Sequence, residues 1–242
     1  MAAKASKPVL VRVTERAGIA AALKVSGVDV GVEAVVLVGG AGGMDDAETD
    51  ALAEVLRFAV VPIVLRRGAT VIDGGTDSGV MRSVGRSRAA SGALFPLVGV
   101  AAEGTVMVPG AVTSPADAAE LEANHTHVLL VPGAEWGDEA PWISDVAGVV
   151  AAGRTSVTML VNGGGIAFDD AARSLQAGRP VVVVAGSGRT ADAIADARAS
   201  GAGDPRARLI AASPLTRIAR LDEPEVIASA LAAGLGEPAG RT

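Results

Sequence analysis

The sequence predicts an α/β fold, a three-layer sandwich on a mostly parallel sheet of about seven strands, and three observations lead there. From residue 33 onward, short aliphatic runs alternate with longer Ala-rich amphipathic stretches, the signature of successive βαβ units. Half of the 242 residues are apolar, yet only 3 are Phe, 2 are Trp and none is Tyr, so Val, Ala, Leu and Ile must fill the core. Such small, stiff side chains suit parallel strands buried between helices. Glycine clusters follow several of the aliphatic runs, where a doubly wound, Rossmann-like sheet turns from strand to helix.

Residues 1–32 read as an amino-terminal extension in which 8–13 and 25–30 alternate like an additional pair of strands. Strands are expected at 34–38, 70–72, 97–101, 128–131, 156–161, 180–184 and, with a weaker pattern, 208–211. The first long helix should start near Asp45 and Asp46, acidic residues suited to the positive end of a helix, and run to Arg66 and Arg67 with a kink or break at Pro62. Further helices are expected at 78–90, 138–152, 167–177, 189–200 and 223–233. Residues 102–123, rich in Pro, Gly, Asp and Glu, read as a long loop, and 236–242 as a flexible tail. One continuous domain over 1–235 accommodates all of these elements.

Composition narrows the function. The longest strongly apolar run, 58–65, falls far short of the ~20 residues of a membrane span and contains Pro62. No signal-peptide pattern opens the chain, so a cytoplasmic protein is expected. Without cysteine there is no disulfide, thiol nucleophile or thiolate metal site, and two histidines leave little for zinc. Neither a cofactor nor a metal is expected. A net charge of −6 without a basic block argues against a nucleic-acid surface, so an anionic ligand would have to be held locally. The mean hydropathy of +0.42 suggests that some apolar surface is covered by a second copy, a homo-oligomer.

Four glycine clusters follow predicted strands: Gly39-Gly40-Ala41-Gly42-Gly43, Gly74-Gly75-Thr76-Asp77-Ser78-Gly79, Asn162-Gly163-Gly164-Gly165 and Gly186-Ser187-Gly188-Arg189. Each can present backbone N–H groups at a helix start, where phosphate oxygens are favoured. A single cluster is equally well explained by a tight turn, but four in one chain shift the balance toward a ligand. None has the spacing of a phosphate-binding loop ending in Gly-Lys-Ser/Thr, and none fits the full dinucleotide fingerprint. The candidate ligand-binding residues are therefore Gly39, Gly40, Gly42, Gly75, Thr76, Asp77, Ser78, Gly79, Gly163, Gly164, Gly165, Ser187, Gly188 and Arg189.

The phrases Gly74-Gly75-Thr76-Asp77-Ser78-Gly79-Val80-Met81, Glu122-Ala123-Asn124-His125-Thr126-His127 and Val183-Val184-Ala185-Gly186-Ser187-Gly188-Arg189-Thr190 resemble the cytosolic amino-terminal region of the melastatin transient receptor potential channels. That region belongs to the SLOG superfamily, which also includes the Lonely Guy phosphoribohydrolases and the DNA-processing protein A family. The resemblance covers roughly 34–195 and implies a Rossmann-like domain that binds a nucleotide-derived ligand, with ADP-ribose or a cyclic relative as the precedent. The implied ligand positions are the loop after Val38, Thr76 and its neighbours, the turn at 163–165, and Arg189.

Lonely Guy enzymes cleave an N-glycosidic bond with a Pro-Gly-Gly-x-Gly-Thr-x-x-Glu motif and an upstream arginine. Aligned to it, Asn162-Gly163-Gly164-Gly165-Ile166-Ala167-Phe168-Asp169-Asp170 keeps the paired glycines, loses the Pro, third Gly and Thr, and places the shorter Asp170 at the carboxylate. In place of the arginine the chain reads Trp142-Ile143-Ser144-Asp145. A carboxylate displaced by about an ångström can cost on the order of a hundredfold in rate. Binding or sensing is accordingly favoured over hydrolysis, with Asp170 as the catalytic residue only under the hydrolytic alternative.

Other residues admit two readings. His125 and His127 can serve as acid, base or ligand, yet their alternation into an apolar strand suits a hydrogen-bonded structural role. Trp136 and Trp142 can stack a base or anchor packing. The acidic run at 45–48 suits a cation or simply the helix dipole. Arg82 and Arg86 share a helix face that suits solvent or a subunit contact, with a phosphate role open to Arg82.

Overall fold

Eight short segments pair in parallel into one sheet in the computed structural model, which describes residues 7–40, 44–110 and 117–236. In chain order the strands are β1 (Val9–Arg12), β2 (Ala34–Gly39), β3 (Thr70–Asp73), β4 (Leu97–Ala102), β5 (His127–Val131), β6 (Ser156–Val161), β7 (Val181–Ala185) and β8 (Thr216–Arg220). Across the sheet they run β1-β5-β4-β3-β2-β6-β7-β8. The chain thus winds outward from β2 through β5, with β1 beyond it, then crosses back to β6 on the other side of β2. That reversal makes β2/β6 the switch point, where a ligand crevice opens at the carboxyl ends of the strands.

The helices are α1 (Ile19–Ser26), α2 (Asp46–Val55), α3 (Val61–Arg67), α4 (Gly79–Ala90), α5 (Ala140–Ala151), α6 (Gly165–Gln176), α7 (Arg189–Ser200), α8 (Pro205–Ala212) and α9 (Pro224–Leu235). Because successive strand residues face opposite sides, each central strand feeds two cores. Val36, Val38, Leu160 and Val183 pack with α1, α5, α6, α7 and α8, whereas Val35, Leu37, Met159 and Val182 pack with α2, α3, α4 and α9. Both faces are buried, which explains why the strands read as continuous aliphatic runs.

Local chemistry explains the helix ends. Asp45 caps α2 by accepting from the Glu48 N–H while Glu48 accepts from the Asp45 N–H, so these acids are accounted for by a capping box. The helical run to Arg67 is interrupted by a wide π-type turn at Leu56–Val60, immediately before Pro62, whose ring nitrogen has no proton to give.

Two expectations are corrected. The segment 208–211 is not a strand but lies within α8: Ala207, Ile210 and Ala211 are buried at helical spacing, Pro205 opens the helix and Asp204 caps it. The seventh expected strand lies instead at β8. Likewise 25–30 forms no strand, because α1 runs through Ser26 and ends at Gly27, which holds φ 84°. The strand expected at 8–13 does form, as β1 beside β5. Within the long loop, Val106 bridges Ala119 and Thr76 bridges Leu121. The tail beyond Gly236 lies outside the described residues.

Candidate nucleotide pocket

The loops after β2, β3 and β6, together with the start of α7, surround a pocket of about 460 Å³ at the switch point. Gly39, Gly40, Gly74, Thr76, Gly164, Gly165, Asp170 and Arg189 line it. Gly42 lies outside the described residues. The other expected positions in the described residues are not part of this lining. Gly75, Gly79, Gly163 and Gly188 shape the loops, all four with positive φ.

Gly39 is required by close approach. A Cβ there would sit 2.3 Å from the Val161 carbonyl oxygen, so only glycine lets β2 and β6 reach the pocket floor side by side. Gly75 meets both demands: its φ is +70°, and a Cβ would lie 2.9 Å from the Cα of Gly99 in β4.

A buried ionic tie holds the β3 loop. His125 Nε2 donates to Asp73 Oδ1 at 2.8 Å and Nδ1 donates to Glu122 Oε2 at 2.9 Å. Asp73 Oδ1 also accepts from the Gly75 N–H, and the Glu122 N–H donates to the Gly75 carbonyl. Burial disfavours the imidazolium, but Asp73 and Glu122 outweigh it and raise its pKa to about 9. His125 is therefore the cation of a structural triad. His127 also packs locally, its Nε2 donating to the Ser26 carbonyl, and burial lowers its pKa.

The polar residues of the same loop divide their tasks. Thr76 Oγ1 lies 2.9 Å from Ser78 Oγ and borders the pocket, whereas Asp77 turns to Arg82, whose Nε donates to it at 2.8 Å. Arg82 is thereby engaged in shaping the loop.

Ser187 is fully buried and links two loops: its hydroxyl donates to the Val184 carbonyl and accepts from the Asn162 N–H. Thr190 Oγ1 donates to the Gly164 carbonyl, and the Ala191 N–H to that of Asn162. The loops after β6 and β7 are thus stitched into one wall. Asp192 accepts from the Gly186 N–H. Arg189 opens α7 with φ 48°, and a Cβ on Gly164 would come within 3.0 Å of its Nη2, so the guanidinium lies across the glycine turn. A non-glycine residue in the left-handed region costs about 1–3 kcal/mol and persists only where the surroundings impose it.

The lining also carries residues that the glycine pattern could not reveal. Trp136, 42% exposed, and Glu139 come from the segment before α5, and Thr105 from the turn after β4. Trp142, by contrast, is buried in the core beneath Arg16. Burial raises the pKa of Asp170 to about 7, helped by the nearby charges of Glu139 and Asp169 and opposed by Arg173. Burial also raises that of Glu139. The pocket lining therefore combines a cation and amide-rich turns with an indole and two carboxyl groups.

Among the described residues no helix is long and apolar enough to cross a membrane, and no group of three or more His, Asp or Glu side chains is arranged to hold a metal. A search of curated proteins returns no match. The profile of the family described as SLOG in TRPM, prokaryote, matches residues 32–228, spanning β2 to β8 and all four glycine loops, and this chain belongs to that family.

Proposed function

We propose that this protein binds a phosphate-bearing, nucleotide-derived ligand of the ADP-ribose type in the switch-point pocket and acts as a sensor module. The observation that carries the reading is Arg189, held in a costly backbone conformation that lays its guanidinium over the Gly164 turn. A planar guanidinium beside exposed amides suits the oxygens of a phosphate or pyrophosphate. Trp136 supplies a face for a base, and the pocket volume falls within the ~300–1,000 Å³ of small-molecule sites. The carboxyl groups of the lining suit ribose hydroxyls, which can donate to Glu139.

A thermal-shift panel tests this. ADP-ribose and ADP should raise the melting temperature by mass action, and adenosine, lacking phosphate, should do much less. No shift with any phosphorylated nucleotide at millimolar concentration sinks the proposal.

A second reading rests on Asp170. A carboxyl group titrating near 7 inside a nucleotide pocket is matched to general acid catalysis, and Glu139 gives it a carboxylate neighbour. Under this reading the protein is a phosphoribohydrolase that protonates a departing base. It requires free base from AMP or another nucleoside monophosphate, lost in Asp170→Asn; a clean chromatogram after prolonged incubation rejects it for the substrates tried.

A further inference from the structure

At the amino ends of β6 and β7, on the edge of the sheet away from the nucleotide pocket, a hollow of about 500 Å³ is lined by Arg16, Arg154 and Arg179. A six-residue strand such as β6 separates the two edges by roughly 20 Å.

Arg179 is 3% exposed. Its Nε donates to Ser156 Oγ at 3.0 Å, its Nη2 to the Ser144 carbonyl at 3.1 Å, and its Nη1 reaches Ser144 Oγ at 3.5 Å. All of these partners are neutral. Burial pulls its pKa down to about 10, with Asp145 acting against that. Asp145 lines the hollow too, but it already pairs with Arg16 at 3.2 Å. Arg154 reaches the Gly31 carbonyl at 3.3 Å, and neither it nor Arg179 has an ion-pair partner among the described residues.

Three guanidinium groups thus face one carboxylate, in a chain whose net charge is −6. Basic lining here is not a sample of a generally basic surface. A buried charge whose hydrogen-bond partners are all neutral is poorly compensated, and an oxyanion is the natural complement. The guanidinium fork matches phosphate oxygens, and the Ser144 and Ser156 hydroxyls can rotate to donate to them.

We infer that this hollow is a second ligand site, one that takes a phosphate group, either inorganic or as the terminal phosphate of a nucleotide. The hollow is distinct from the switch-point pocket, with no lining residue in common.

Calorimetry and melting curves with sodium phosphate, against sodium chloride at matched ionic strength, test the site on the full chain. Arg154→Ala, altered at an exposed side chain, should bind phosphate at least tenfold more weakly than the wild type at this site, and Arg189→Ala, which takes the guanidinium out of the switch-point pocket, should keep a saturable phosphate site that Arg154→Ala removes. AMP titrated into Arg189→Ala separates the two sources of phosphate: binding there that is lost on adding Arg154→Ala assigns the hollow to a nucleotide, and no AMP binding beside retained phosphate binding assigns it to the free ion. Absence of stabilisation beyond chloride overturns the proposal. So does phosphate binding that survives Arg154→Ala and disappears in Arg189→Ala, which would place the anion in the other pocket.

Discussion

Arg189 combines a strained backbone with a side chain directed over the Gly164 turn, and the two features separate by substitution. Arg189→Ala keeps a Cβ at positive φ and removes the guanidinium; Arg189→Gly removes both. If the guanidinium grips phosphate, each variant should weaken nucleotide binding by about 1.5–3 kcal/mol, roughly ten- to hundredfold in Kd. Their apo stabilities should differ in a defined order, because glycine relieves the left-handed conformation: Arg189→Gly should melt above Arg189→Ala. Unchanged affinity in a folded Arg189→Ala would remove Arg189 from the ligand site. The sequence marked this residue through its place after Gly186-Ser187-Gly188, but not its φ, which depends on contacts between loops distant in the chain. Ser187 stands in the same turn, and its hydroxyl, a feature the pattern did not assign, is engaged by Asn162 and Val184.

At the scale of elements, the hydrophobic period was readable wherever a strand is buried on both faces, as in β2, β6 and β7. It failed at the edges. β8 reads Thr-Arg-Ile-Ala-Arg because an edge strand carries charge on its open side, so its aliphatic signature is diluted, while the Leu-Ile-Ala-Ala of α8 imitates a strand even though Leu209 is 76% exposed. The glycine loops were legible as loops; Trp136 and Glu139 were not legible as part of the same pocket, because only the crossover from β5 to β6 brings them there. The close pairing of β2 with β6 is the feature that brings the first and third loops together. Gly39→Ala would force its Cβ against the Val161 carbonyl oxygen, at a cost of about 1–3 kcal/mol, the range for overpacking a tight site. Gly165→Ala, at the first position of α6 with open space around its Cβ, should be neutral or stabilising. Denaturant titration that finds the two variants equally stable would show that the strand separation has slack.

For the molecule as a whole, the buried triad ties stability to pH. His125 has a pKa of about 9 in the folded protein, against about 6.5 in an unfolded chain. Between those values the folded state binds more protons than the unfolded state, so stability falls as pH rises. The contribution is fully present below pH ~6.5 and is lost as the pH passes through 9, amounting to about 3 kcal/mol if no other group compensates. The groups facing His125 are Asp73 and Glu122, with Arg88 beside Glu122, and its deprotonation leaves two buried carboxylates without their shared cation. Asp170, raised to about 7, acts in the same direction at lower pH, so its effect is largely spent by pH 8. Urea denaturation at pH 6, 8 and 9.5 should therefore show a steady loss of stability in the wild type. In His125→Gln, which is uncharged and retains one amide donor, the protein should be weaker at pH 6 yet nearly flat from pH 8 to 9.5. Because the triad also anchors Gly75, the proposed nucleotide binding should weaken over the same alkaline range in the wild type. A stability profile as steep in His125→Gln as in the wild type would show that the alkaline limb belongs to another group.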